Sequence, residues 1–180
     1  MRDDEHLRMT LANADLEVYF RHWENKTMHQ LIYDQYKRDG IFGRFQFEGD
    51  PGPFCMTLSH AYYHNGTYLP KVLPGKIYAC ERGMHKLKDH RPGHEGQLID
   101  IETFEITGIE GSSGLLFHPL NLNDESEGCT GLGQRIAKYD SDKDGDVDAE
   151  DDDMITASRK TFAAWMKRLE GVNVFMLQVS

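Results

Sequence analysis

The sequence predicts a single, mainly β (α+β) domain with one principal C-terminal amphipathic helix. Three observations carry that prediction. A chain of 180 residues is long enough for one compact domain with a sizeable core. Short runs in which large apolar residues alternate with polar ones recur along most of the chain, separated by turns rich in glycine and proline. Helical spacing of apolar residues occurs once, late in the sequence. A hydrophobic share of 39% with 11% aromatics supplies the apolar surface that a disordered chain lacks.

Taken in order, "LEVYFRHW" alternates at Leu16, Val18 and Phe20 and reads as a strand. "NKTMHQLIYDQYKRDG" fits either a short helix ending at Gly40 or a second strand with a loop. "IFGRFQFEG" and "PFCMTLSHAYY" read as strands joined by the turn "GDPGP". "LPGKIYAC" opens another strand through Ile77, Tyr78 and Ala79, and the charged stretch from Glu81 to Gly96 reads as a long surface loop. "LIDIETFEITGI" is strand-like, and "SGLLFHP" is a short buried run. In "DDDMITASRKTFAAWMKRLEG", Ile155, Phe162, Trp165, Met166 and Leu169 recur at helical spacing, and Gly171 supplies a stop. "VNVFMLQV" closes the chain as a strand. The organisation expected is an N-terminal strand and variable segment over 1–40, a core over 41–136, an acidic loop over 140–151, and the helix and last strand over 153–180.

Charge narrows the partners. The formal net charge is -10, but Asp140 to Asp153 alone carries nine acids and one lysine, so the acidity is local. No basic stripe of the kind a phosphate backbone needs is present, which argues against nucleic acid. The three cysteines, Cys55, Cys80 and Cys129, are odd in number and unpaired in spacing, so no disulfide framework is indicated. Cys55 and Cys80 lie in strand-like runs and read as core. No signal peptide and no membrane span is expected, since no run of 18 apolar residues occurs.

The acidic run is a motif in its own right. "DSDKDGDVDAED" sets carboxylates at loop positions 1, 3, 5, 9 and 12 (Asp140, Asp142, Asp144, Asp148 and Asp151), glycine at 6 and Val147 at 8. This is the oxygen-ligand pattern of an EF-hand-type calcium loop, in which the carbonyl of Asp146 at position 7 adds a ligand and Gly145 allows the sharp turn. Asp151 stands where a bidentate glutamate is usual, a variant that resembles dockerin-like loops. A structural calcium that staples the turn at the start of the helix is the expectation. Zinc is the weaker metal reading: His60 and His64 lie four apart and His85, His90 and His94 gather in one stretch, without a glutamate or cysteine pair to complete a site.

A second motif is "HPLNLNDESEGC", His118 to Cys129. Histidine is the usual group that favours a nucleophilic thiolate, and the Gly128 and Cys129 amides suit a developing oxyanion. The motif resembles the active-site signature of the L,D-transpeptidases, in which a histidine precedes, by a loop, Ser-x-Gly-Cys. It is also similar to a family of uncharacterised phage and bacterial domains that share a Thr-Leu strand (Thr57, Leu58), "LPGKIY" (Leu73 to Tyr78), His118-Pro119 with Asn121, and Glu127-Gly128-Cys129. That likeness runs from about Ile41 to Ile136, with the calcium loop as an insertion. The resemblance implies an L,D-transpeptidase-like β domain acting on peptidoglycan stem peptides, with Cys129 as nucleophile, His118 as base, and Ser126 and Gly128 as supports. Asn121 and Arg135 would contact substrate. Glu127 replaces the family's histidine, and Gly131 its arginine.

Two functions therefore follow from the sequence. One is a phage-associated Cys-His acyl enzyme, a transpeptidase or peptidase. The other is a non-catalytic virion structural or accessory protein on the same fold, with other virion proteins as partners. Without an exit signal, the protein is expected in the virion or the host cytoplasm.

Overall fold

The computed structural model describes residues 26–89 and 97–180. The expected strand at 16–20 lies outside the described residues. One eight-stranded sheet dominates. Its first strand, β1 (Met28–Lys37), runs parallel to the last, β12 (Val174–Val179), and antiparallel to β2 (Gly40–Gln46). On one side the sheet continues through β12 to β6 (Lys76–Lys88) and β7 (Leu98–Thr107). On the other it continues through β2 to β3 (Cys55–Ser59), β9 (Thr130–Gly133) and the two-residue β8 (Phe117–His118). The ends then meet. Glu105 of β7 bridges Leu116, the Ile106 amide donates to the Leu115 carbonyl at 2.7 Å, and the Thr103 hydroxyl donates to the Phe117 carbonyl.

This curled sheet buries an aromatic core. Trp165 is fully buried, with the rings of Phe117, Phe104 and Phe45 centred 4.9, 5.5 and 5.6 Å away. It comes from the helix α1 (Ser158–Arg168), whose Phe162 and Trp165 face inward. The Arg82 guanidinium donates to the carbonyls of Leu169 and Val172 at 2.6 and 2.7 Å, satisfying carbonyls at and just beyond the helix end and tying it to β6. Two short hairpins flank the sheet: β4 (Tyr62–His64) with β5 (Thr67–Leu69), and β10 (Ile136–Tyr139) with β11 (Asp152–Ile155). The second carries Ile155 onto the outside of the sheet, where it forms a smaller buried cluster with Phe42, Leu58 and Leu120. No helix among the described residues is long and apolar enough to cross a membrane.

The sequence expectations need three revisions. Residues 28–37 are a strand in the middle of the sheet, which removes the helix alternative for that segment. Residues 81–88 continue β6 rather than forming a loop. Their charges are carried by cross-strand pairs, Lys86 with Asp100 at 3.0 Å and Arg82 with Glu102 at 3.2 Å. Finally, Ile155 belongs to β11. Ala157 adopts a left-handed conformation (φ 56°) and separates that strand from α1, whose first turn holds no acid.

One buried histidine gives the fold a pH dependence. His29 is ringed by Phe45, Phe47 and Phe175 and accepts the Glu48 amide on Nδ1 at 3.1 Å. Burial lowers its pKa from 6.5 to about 4. The neutral form is the one folded, so this contribution to stability is complete above pH 6.5. It declines as pH falls from 6.5 towards 4, because the unfolded chain then takes up a proton that the folded chain refuses, by up to about 3 kcal/mol. Urea unfolding at pH 7 and pH 4.5 should show that loss, and His29→Phe should remove most of it. An equal loss in His29→Phe would assign the effect to other groups.

Candidate active site on the β8–β9 seam

β8 and β9 pair in parallel, Phe117 with Thr130 and His118 with Gly131. Phe117 joins the aromatic core, and the Thr130 hydroxyl lies 2.8 Å from Ser59 Oγ inside the sheet. His118 is the second residue of β8, and Cys129 immediately precedes the first residue of β9. Their surroundings differ: the Cys129 sulfur meets Leu116 and Gly114, and the pocket that His118 lines does not include Cys129. Both are buried. His118 Nδ1 lies 3.0 Å from the Pro119 carbonyl, which can only accept. In the neutral ring Nδ1 therefore carries the proton and Nε2 is the basic nitrogen.

The turn before Cys129 is fixed from both sides. Ser126 Oγ accepts the amides of Gly128 at 3.1 Å and Cys129 at 2.8 Å. The two amides expected to face an oxyanion are thus held by the serine hydroxyl. The Glu127 carbonyl accepts from the Tyr62 hydroxyl and from Lys71 Nζ at 3.2 Å. Gly128 has φ 132°, and a Cβ there would lie 2.9 Å from both Leu115 and Lys71 side-chain atoms, so only glycine fits. Gly131 is similarly required, since Leu120 atoms lie 2.5 Å from where its Cβ would be.

The sulfur itself sits against the sheet seam. It accepts the Leu116 amide at 3.3 Å and donates to the Gly114 carbonyl at 3.6 Å. Burial raises its pKa, opposed by the Leu116 amide, the Ser126 hydroxyl and the Lys71 ammonium, and reinforced by Glu105. The other two thiols differ. Burial pushes Cys55 up to about 12, and burial with the nearby Glu81 charge pushes Cys80 well above its ordinary value. Cys129 is thus the thiol with both an amide donor and a cation acting in favour of its thiolate.

His118 also lines an outer pocket of about 390 Å³, with Asn121, Leu120, Ile101, Lys88 and Arg159 among its walls. Asn121 is anchored at both backbone ends: its amide donates to Glu125 Oε2 at 2.5 Å and its carbonyl accepts from the Ile155 amide at 3.0 Å. Its side-chain Oδ1 is buried with no partner among the described residues. Arg135 is exposed between β9 and β10 and does not line this pocket. Sequence reasoning missed Lys71, Leu116, Lys88 and Arg159. Lys71 lies 58 residues before Cys129 and no motif joins them. Arg159 reaches the pocket because the Leu120 amide donates to Ser158 Oγ at 2.9 Å, a contact with no signature in spacing.

The acidic loop links β10 to β11, closing a hairpin rather than starting the helix. One carboxylate oxygen each of Asp140, Asp142 and Asp144 lies within 4.8 Å of the others. The loop is drawn tight by amides: Gly145 to Asp140 at 3.2 Å, Asp144 to Asp142 at 3.1 Å and Asp146 to Asp144 at 2.9 Å. Asp140 Oδ1 is buried and unpartnered among the described residues. Three carboxylate oxygens this close together could hold a metal ion. Asp148 Oδ1 accepts the Glu150 amide, and Asp151 accepts the amides of Ser141 and Asp148 at 2.7 and 2.9 Å. Those amides lower the Asp151 pKa.

The histidines give no metal cluster among the described residues. His60 bonds the Asn123 carbonyl and His85 faces Glu105 at 3.9 Å, while His90 and His94 lie outside the described residues. Comparison with family models, with curated proteins and with solved structures gives no significant match to this chain.

Proposed function

We propose that this protein is a Cys-His acyl enzyme acting on peptidoglycan stem peptides, of L,D-transpeptidase or peptidase type and phage-associated. The observation that supports the reading is the parallel β8–β9 pairing, which brings the strand ending at His118 beside the strand that begins immediately after Cys129. In the first step His118 Nε2 takes the thiol proton and Cys129 Sγ attacks the peptide carbonyl. The carbon–nitrogen bond then breaks, and the amine leaves with a proton returned from the imidazolium. The resulting thioester passes its acyl group to a second amine or to water. The Leu116 amide, already donating to the sulfur, favours the thiolate. Ser126 would have to release the Gly128 and Cys129 amides before they could stabilise an oxyanion.

The test is mass spectrometry of defined muropeptides incubated with the calcium-loaded protein. Cleaved or exchanged stem peptides are expected. A folded sample that yields none would favour the second reading, a virion accessory protein on the same fold.

Calcium in the Asp140–Asp151 loop is proposed as structural. It would neutralise three converging carboxylates and hold the β10–β11 hairpin, whose Ile155 covers Gly131 beside the site. At free calcium a hundredfold above Kd the linkage is about 2.7 kcal/mol, so a chelator should lower Tm by roughly 5–10 °C. Differential scanning calorimetry reads this directly, and an unchanged Tm would remove the staple.

A further inference from the structure

We infer that the pocket beside His118 binds a carboxylate of the peptide substrate, with Arg159 as its anchor and Asn121 as the acceptor for a neighbouring peptide N–H. The inference rests on the acyl-enzyme reading for its substrate class, and on the pocket for its chemistry. The walls from Leu87, Ile99, Ile101 and Leu120 are apolar, suiting a short aliphatic side chain. Polar demands are few and specific, which is how small-ligand sites obtain orientation. The first is Asn121 Oδ1, buried and unpartnered. Its backbone is fixed at both ends, and a ligand donor would satisfy the oxygen.

The second demand is charge. Of the two pocket carboxylates, Glu125 is occupied by the Asn121 and Leu122 amides, and Asp89 has interactions of its own within the protein. The cations are less committed. Arg159 makes no ion pair or hydrogen bond among the described residues. Among the described residues Lys88 has only a long contact, 4.0 Å, to an exposed Glu127. Arg159 also stands in the first turn of α1, whose start no side chain caps, so the positive helix end adds to its field. A guanidinium without a partner, at the mouth of an apolar pocket holding an unsatisfied acceptor, matches a carboxylate next to an amide. Arg135, the arginine closest in sequence to the cysteine, is outside the pocket.

Binding can be separated from chemistry by using Cys129→Ala throughout. The probe is a stem tetrapeptide as its free acid, with its C-terminus alone amidated, and with every carboxyl amidated, titrated by calorimetry. The free acid should bind at least tenfold more tightly than the fully amidated peptide. That advantage should disappear in Arg159→Gln and persist in Arg135→Gln. The singly amidated peptide identifies which carboxylate is read. Asn121→Ala should weaken all three forms alike. Equal affinity for acid and amide, an advantage that survives Arg159→Gln, or one lost in Arg135→Gln would each overturn the inference. A normal carboxylate preference without any turnover by the wild-type protein would leave this pocket standing while the acyl-enzyme reading fell.

Discussion

Trp165→Ala is expected to destabilise the protein by about 3–5 kcal/mol, as large-to-small changes at buried aromatics do. The indole fills the middle of the curled sheet, touching rings from β2, β7, β8, β12 and its own helix. Removing it leaves a cavity whose lining comes from five separate elements, so no single one can move in to close it. Trp165→Phe should cost less, roughly 1–2 kcal/mol, because it keeps a ring and also removes the buried indole N–H, which has no partner among the described residues. Urea unfolding of both variants checks the ordering. A cost below ~1 kcal/mol for the alanine would mean that this ring cluster is not what holds the sheet curled.

Cys129→Ala is expected to abolish turnover while leaving the fold intact. The side chain is small, its two hydrogen bonds are to backbone groups at 3.3 and 3.6 Å, and stability should change by only about 1 kcal/mol. His118→Ala should lower the rate by roughly 10²–10⁴-fold, the usual worth of a positioned base. Burial holds the thiol protonated at neutral pH, so the thiolate fraction, and with it the rate, should rise with pH through the neutral range. Turnover in Cys129→Ala equal to wild type would remove the nucleophile from the proposal. A large fall in Tm for the same variant would instead assign Cys129 a packing role.

Much of the fold was legible because its strands alternate. "IFGRFQF" and "LIDIETFEIT" each present one face to the aromatic core, and that period of two is visible without coordinates. What failed has identifiable causes. β6 beyond Cys80 projects past the core with cross-strand ion pairs in place of an apolar face, so its composition imitates a loop. Ile155 falls in helical phase with Phe162 by coincidence of spacing. The break between them is a left-handed Ala157, a conformation that alanine does not advertise. The pairing of β1 with β12, nearly 150 residues apart in sequence, leaves no local trace at all.

The candidate site divides the same way. His118, Asn121, Ser126, Gly128 and Cys129 lie within twelve consecutive residues, and motif spacing alone singles them out. The groups that act on the sulfur from elsewhere, Lys71 and Glu105, come from distant strands and connections. Ser126 was legible as part of the turn but not in its present role of holding both amides. Arg159 was hidden inside a helix whose apolar stripe drew attention to packing.

The central claim is that Cys129 carries an acyl group, and intact-protein mass spectrometry tests it most directly. The wild-type protein, calcium-loaded and given a stem tetrapeptide without an acceptor amine, should gain the mass of one acyl fragment. That fragment should map to the peptide containing Cys129 and be released by hydroxylamine, and it should form more slowly in His118→Ala. No adduct on folded wild-type protein, or an equal adduct on Cys129→Ala, would contradict the account.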